Sequence, residues 1–351
     1  MTEPHSGPSR YEIARPDLDA LLGEWGEPRY RAEQTWDALY RQQIALEDAT
    51  ALPRALRERL TAALPLALDP LVEQTSYDDM TSKWLWSCAR DGAQIETVLM
   101  RYPERATVCV SSQAGCAMGC TFCATGQAGF QRHLDVGEIV EQVLRAAQAS
   151  PQRVSNVVFM GMGEPLANYD TTWAAVHRLH DDLGISARRI TISTVGVVPA
   201  MRRLAQEDLP VTLAVSLHAP TDDERSALVP LNRRYPIADV LDAAAEYAGA
   251  KGRRVTFEYA CIAGENDSAA QGEALGRLLG AFAGVGGAHV NLIPLNPTDG
   301  FGGHAPNPPS LRAFADRLRA HGVNATVRRN RGTDIAAACG QLRSREAMPS
   351  E

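Results

Sequence analysis

Four of the chain's seven cysteines fall within the fifteen residues Cys109–Cys123, which read CVSSQAGCAMGCTFC. Three of them, Cys116, Cys120 and Cys123, are spaced C-x3-C-x2-C. Thiolates are soft donors that suit iron–sulfur clusters and zinc. A cubane cluster that only carries electrons takes four cysteines. Three in one short loop leave one iron without a protein ligand, open to a reactant. Zinc is the competing occupant. A structural zinc site is closed by four donors, and the fourth here has to be His133 or a distant cysteine, because the sequence holds no second C-x2-C pair. A disulfide framework fits poorly: the chain is long, its cysteine number is odd and it shows no signal peptide.

A loop of this kind needs a scaffold, and the sequence supplies a regular one. From about Thr107 strand-like and helix-like segments alternate. The strands read 107–112, 156–161, 190–196, 211–217, 255–261, 290–295 and 325–328. Apolar stripes between them, such as Ile139, Val140, Val143 and Leu144, mark helices. Repeated βα units predict parallel strands with right-handed crossovers, and about six units predict an open barrel. Functional residues then belong at the carboxyl ends of the strands. The cysteine loop follows the first strand, as that rule requires.

Upstream, residues 1–15 read as disordered and 16–70 as a small helical domain, with Leu18, Leu22, Trp36, Leu56 and Leu60 at helical spacings. Segments 81–87 and 95–99 read as strands joined through Asp91-Gly92, a favoured hairpin turn. They assign 71–101 to an antiparallel hairpin leading into the barrel, 102–345, with 346–351 as a tail.

Several residues at strand ends carry polar chemistry. The second barrel strand runs into Gly161-Met162-Gly163-Glu164-Pro165, where glycine admits close backbone approach and Glu164 offers a carboxylate for an ammonium group. Ser193, Ser216-Leu217-His218 and Asn296 stand at later strand ends. An end-cap or loop hydrogen bond explains each of these singly as well as a ligand does; one shared mouth would explain them together. Cys109 on the first strand reads by default as a small apolar residue. Cys339 lies in RRNRGTDIAAACGQL, where Arg328, Arg329 or Arg331 would favour the thiolate and so a nucleophile. Cys88 and Cys261 read as structural, and Glu96 on its own as an exposed hairpin carboxylate.

From about Tyr30 to Leu342 the chain resembles the RlmN/Cfr family of radical-SAM RNA adenosine methyltransferases, and within it the RlmN branch. The resemblance is carried by YRAEQTWDALY, QIETV, CVSSQAGCAMGCTFCATG, GMGEPLANY, TISTVGVVPA, SLHAP, NLIPLNP and RGTDIAAACGQL. It implies an α/β fold, a partial (β/α)6-type radical-SAM barrel with a small N-terminal helical domain and a β-hairpin extension. It implies one 4Fe–4S cluster on Cys116, Cys120 and Cys123, with S-adenosylmethionine used twice per turnover. Gly163, Glu164, Ser193, Ser216, Leu217, His218 and Asn296 would bind that cofactor, and Phe122 would pack near its adenine. Cys339 would carry a methyl group as S-methylcysteine and become joined to RNA, Glu96 would accept a proton, and Cys109 would release the product through a Cys109–Cys339 disulfide. The implied reaction is methylation of carbon 2 of adenosine in 23S rRNA and in tRNA. Carbon 8, as in Cfr, is the nearest alternative, and a zinc-stabilised RNA-binding protein without catalysis is an alternative of another class. The chain ends soon after Cys339, so any longer tail of relatives is expected to be absent.

Composition sets outer bounds. At 351 residues with 45% apolar and 22% charged residues the chain suits about two domains or a barrel with an appendage. No apolar run is long enough for a transmembrane helix, and the polar N-terminus is unlike a targeting peptide, so the expected setting is the cytoplasm, with no membrane partner. A net charge of −7 argues against a uniformly basic RNA-coating surface. Five arginine pairs, at 188–189, 202–203, 233–234, 253–254 and 328–329, would make a local basic rim if the fold gathered them. The expected partners are 23S rRNA, tRNA and an electron donor such as flavodoxin or ferredoxin, acting on a monomer.

Overall fold

The computed structural model describes residues 7–284 and 287–342. Three short helices come first: α1 (Arg15–Glu24), α2 (Tyr30–Trp36) and α3 (Arg54–Ala63). Pro16 opens α1 where its missing N–H costs nothing. Gly26 (φ 76°) ends the following turn, and Pro53 precedes α3. The expectation of disorder through residue 15 is not met from residue 7 onward. Arg10, Tyr11 and Ile13 are buried, and Arg10 pairs with Glu47 at 2.9 Å. Residues 1–6, and the tail from 343 on, lie outside the described residues.

Three antiparallel strands follow, β1 (Leu68–Thr75), β2 (Thr81–Cys88) and β3 (Gln94–Arg101). The extension thus has one strand more than the expected hairpin. β1 was hard to see because Pro70 interrupts it and its burial alternates without a strong apolar run. β3 pairs antiparallel with β4 (Ala106–Cys109), the first barrel strand.

After β4 come β5 (Gln113–Gly115), α4 (Ala124–Ala128) and β6 (Phe130–His133), then α5 (Val136–Gln148), β7 (Val154–Phe159), α6 (Tyr169–His177), β8 (Ile190–Thr194) and α7 (Val198–Gln206). The chain continues through β9 (Thr212–Ser216), α8 (Asp222–Leu228), α9 (Ile237–Lys251), β10 (Val255–Cys261), α10 (Ala269–Gly280), β11 (Ala288–Pro294), α11 (Pro308–Ala320) and β12 (Asn324–Val327). The order β1-β2-β3-β4-β7-β8-β9-β10-β11-β12 makes one ten-stranded sheet, parallel from β4 to β12, whose two end strands are not paired to each other. It is an open α/β barrel, as the βα alternation predicts. β5 and β6 form a separate small hairpin.

Helix stripes seal the outside. Ile139, Val140, Val143 and Leu144 of α5 are fully buried, and Asp135 and Glu138 form a capping box at its start. The helical segment packs against this layer and shares its apolar core. Glu141 of α5 accepts the backbone N–H of Ala67 at 2.7 Å, and the Trp36 indole donates to Asp182 at 3.0 Å. Among the described residues no helix is long and apolar enough to cross a membrane.

Candidate active site

The cysteine loop is shaped by backbone before any ligand is considered. Gly115 sits at φ 75° at the end of β5, and a Cβ there would lie 2.0 Å from the Gly129 carbonyl oxygen. A glycine is required, and it lets the Cys116 N–H donate to Gly129 at 2.8 Å. Gln113 ties this hairpin to the next loop: its Oε1 accepts the Glu164 N–H at 2.8 Å, and its amide bonds His133 Nδ1 at 3.0 Å. Gly163 (φ 101°) admits that contact, because a Cβ would approach Gln113 Cβ to 2.5 Å.

Cys120 and Cys123 face a cavity of about 160 Å³ at the carboxyl ends of the strands. Gly163, Glu164, Ser193, Ser216, His218 and Asn296 line the same cavity, as does Phe122. The strand-end residues therefore do share one mouth. Leu217 does not belong with them: it is fully buried in the apolar core. Ser216, the last residue of β9, lines the mouth, and the next side chain, Leu217, turns into the core. His218 returns to the mouth by adopting a left-handed backbone, φ 64°, a strained state for a non-glycine residue.

Burial dominates the titration here. It pushes the Cys116 thiol up to about 12, and Cys120 is raised as well. Such thiols ionise readily only against a metal. Among the described residues no three donor side chains meet tightly enough for a single ion, whereas a cubane spreads its thiolates over separate irons. Three soft donors on one loop beside a cavity fit such a cluster. Burial raises the Glu164 carboxyl to about 7, although the N–H groups of Leu166 and Val195 donate to its two oxygens at 3.0 and 2.8 Å. A ligand ammonium would stabilise its charged form. His218 is lowered to about 3 by burial and then by Arg225, so its ring is neutral. Its Nδ1 accepts the Ala260 N–H at 3.0 Å, which leaves the proton on Nε2. The ring stands edge-on to Phe122, 4.8 Å between centroids.

A second cavity, about 400 Å³, occupies the barrel lumen and is lined by Cys109 and Cys339. Cys339 also lines the smaller cavity, and the two share Met160, Glu258 and Ile293 as well. The sulfur of Cys339 thus stands in the wall between them. Its surface is open to the cavities while protein surrounds it, which explains why its thiol is raised by burial and by Glu258. Arg328 pulls the other way, as the neighbouring arginines predict, but does not win. All seven cysteines are unpaired.

Glu96 is not an exposed hairpin carboxylate. It is 2% exposed and pairs with Lys83 at 2.9 Å. The arginine pairs do not gather into one rim. Arg202 and Arg203 bind Glu246 and Asp170, and Arg253 donates to the Pro210 carbonyl. Arg328 and Arg329 do line the larger cavity, together with Arg105 and Arg331, whose guanidiniums lie 4.4 and 4.6 Å from the Tyr102 ring.

Three further residues were passed over in the sequence. Glu258 lines both cavities and accepts from Asn291 at 2.8 Å; an acid inside the apolar run VTFEYAC was the available signal. Lys83 gave none. Arg225 is fully buried and donates to the carbonyls of Leu217 (3.1 Å), Val195 (2.6 Å) and Ser216 (3.1 Å), and to Asn232 Oδ1 (2.8 Å). It braces two of the loops that form the mouth. Arg225→Met should therefore cost about 3 kcal/mol of stability by orphaning these acceptors and weaken binding of S-adenosylmethionine. Thermal melts and calorimetric titration of the reconstituted protein check both effects; unchanged affinity would remove the bracing role.

The Radical SAM superfamily model matches residues 110–272. The chain is 53% identical to the probable dual-specificity RNA methyltransferase RlmN of Parafrankia sp., over 96% of this chain and 92% of that one. It is 50% identical to the dual-specificity RNA methyltransferase RlmN 1 of Myxococcus xanthus, over 97% of each. A crystal structure of a radical SAM methyltransferase from Sphaerobacter thermophilus superposes with a TM-score of 0.91 at 49% identity, covering 96% of this chain and all of that one. The chain belongs to the RlmN family of radical-SAM methyltransferases, enzymes that work with a 4Fe–4S cluster and S-adenosylmethionine.

Proposed function

We propose that this enzyme methylates carbon 2 of an adenosine in 23S rRNA and in tRNA, with Cys339 as the methyl carrier. The observation that carries this is the position of Cys339 in the wall shared by two cavities, with Cys109 lining the larger one. Cys116, Cys120 and Cys123 hold the cluster. Gly163, Glu164, Ser193, Ser216, His218 and Asn296 hold S-adenosylmethionine. When bound, these groups supply one electron, a methyl group and a 5′-deoxyadenosyl radical; the electron comes from a flavodoxin- or ferredoxin-type donor.

The chain's own residues do the rest. Asn296 fixes the carrier by donating to the Cys339 carbonyl at 3.0 Å. The lumen receives a target base taken out of its stack. Once the Cys339 methyl carbon, short of one hydrogen, has bonded to carbon 2, Glu96 accepts the proton that carbon 2 loses, and the one electron left over on the base would return to the cluster. Cys109 then attacks the Cys339 sulfur. A sulfur–sulfur bond forms, the sulfur–carbon bond to the base breaks, and its electron pair takes a proton to complete the methyl group. The disulfide must be reduced before the next turnover.

Anaerobic assay of the reconstituted enzyme with protein-free 23S rRNA, read by nucleoside mass spectrometry, tests the proposal. Formation of 2-methyladenosine supports it. Formation of 8-methyladenosine instead, or one bound zinc with no cofactor cleavage, overturns it.

The cationic lining makes a second expectation. Arg329 is exposed and Arg331 is held against Tyr102. An Arg329→Ala/Arg331→Ala variant should bind RNA roughly ten-fold more weakly and flatten the salt dependence of log K by about 1.5. Fluorescence anisotropy across a salt series measures both; an unchanged slope would place the RNA backbone elsewhere.

A further inference from the structure

Lys83 is a charged residue in a place where the fold has no need of one. It is 8% exposed, with its ammonium 2.9 Å from the Glu96 carboxylate. Replacing a buried ion pair by apolar residues of similar size is often neutral or stabilising, so a methionine would serve the core as well. The ammonium also donates to the Ala336 carbonyl at 3.3 Å, three residues before Cys339.

The strand register shows what this contact links. Lys83 pairs with Val98, and Val98 with Cys109. Directly paired residues project to the same face of a sheet, so Lys83, Val98 and Cys109 form one row. Glu96, two residues from Val98, shares that face. The segment that carries Cys339 is laid across this row. Tyr77 donates its N–H to Asp334 at 2.9 Å. Gly332 lies so close to β2 that a Cβ would meet Thr81 at 2.9 Å. Ala336 itself has a left-handed backbone, φ 49°. On the far side Gln341 donates to the Pro297 carbonyl at 3.1 Å. Of the two charged anchors, Asp334 is exposed and Lys83 is buried.

We propose that Lys83 is a positioning residue for Cys339. Its ammonium, shared between Glu96 and the Ala336 carbonyl, clamps the thiol segment onto the antiparallel extension and sets the separation of Cys339 from Cys109. The inference rests on the proposed two-thiol chemistry and adds to it the element that aligns the thiols.

The test compares the reconstituted wild-type enzyme with Lys83→Met and Lys83→Met/Glu96→Gln. Two quantities are read without turnover: the equilibrium constant for Cys109–Cys339 disulfide formation in an anaerobic glutathione redox buffer, and hydrogen exchange of the amides from Gly332 to Gly340. In both variants the constant should fall roughly ten-fold and exchange should accelerate. Thermal stability should drop in the single variant, where Glu96 loses its cation, and return in the double one, where no buried charge is stranded. A double variant with restored stability, wild-type exchange and a wild-type disulfide equilibrium would overturn the proposal, leaving Lys83 as a partner of Glu96 alone. A wild-type enzyme that forms no Cys109–Cys339 disulfide at any buffer ratio would defeat the two-thiol chemistry; amide exchange then decides on the clamp by itself.

Discussion

Cys109→Ala is expected to stop turnover while leaving protein covalently joined to RNA. Cys109 ends β4 and faces the lumen that Cys339 also lines. Burial holds its thiol far above the usual range, and nearby Cys339 adds to the rise. The proton must therefore be removed in the step itself. Alanine removes one sulfur from a strand position whose partners, Val98 and Val158, stay in place, so the fold should lose only about 1 kcal/mol. In the proposed scheme everything before release can proceed and release cannot. Product should fall by roughly three orders of magnitude, and labelled RNA should migrate with the protein on a denaturing gel. Cys339→Ala should show neither product nor adduct. Wild-type turnover by Cys109→Ala, or an adduct that persists without Cys339, would eliminate the scheme.

Cys120→Ser should remove the cluster. Cys120 is the most buried of the trio and packs with Leu228, Val229, Ile262 and Leu295. A serine oxygen is a hard, poorly acidic donor and replaces a soft one. Two thiols then remain for a cluster that already lacks a fourth protein ligand. Iron after anaerobic reconstitution should drop from about four per chain toward zero, with loss of the visible charge-transfer absorption and of all activity. Cys88→Ala and Cys261→Ala are the controls. Both thiols are fully buried away from the two cavities, and both variants should keep their iron. A Cys120→Ser enzyme with full iron would assign the cluster to other donors.

The chemistry of the site was legible where it is written in short spacings. C-x3-C-x2-C, the Gly-Met-Gly-Glu turn and the alternation of apolar strands and striped helices are local patterns, and the barrel strands fall within about three residues of their expected bounds. What escaped depends on parity and on distant partners. Leu217 sits between two mouth residues and faces the opposite way, which one-dimensional adjacency conceals. Glu96 looks like surface because its cation, Lys83, is fixed by strand pairing. Arg225 reads as an ordinary helix arginine; only the fold brings three carbonyls to it. Arg10 and Tyr11, in a polar leader, are held by Glu47 and the helical layer.

The Tyr77–Asp334 bond joins residues 257 positions apart, and Lys83–Ala336 joins residues 253 apart. Closing loops of that length carries an entropic charge that grows only as the logarithm of length, yet it must be met before these bonds reward it, which slows their formation. The thiol carrier also follows, in synthesis, every strand it works with. A nascent chain therefore lacks one wall of the cofactor mouth, and the bonds that tie the cluster-loop helix to Gly340 and Leu342, until its last residues are made. Methylating power is thus withheld from incomplete chains.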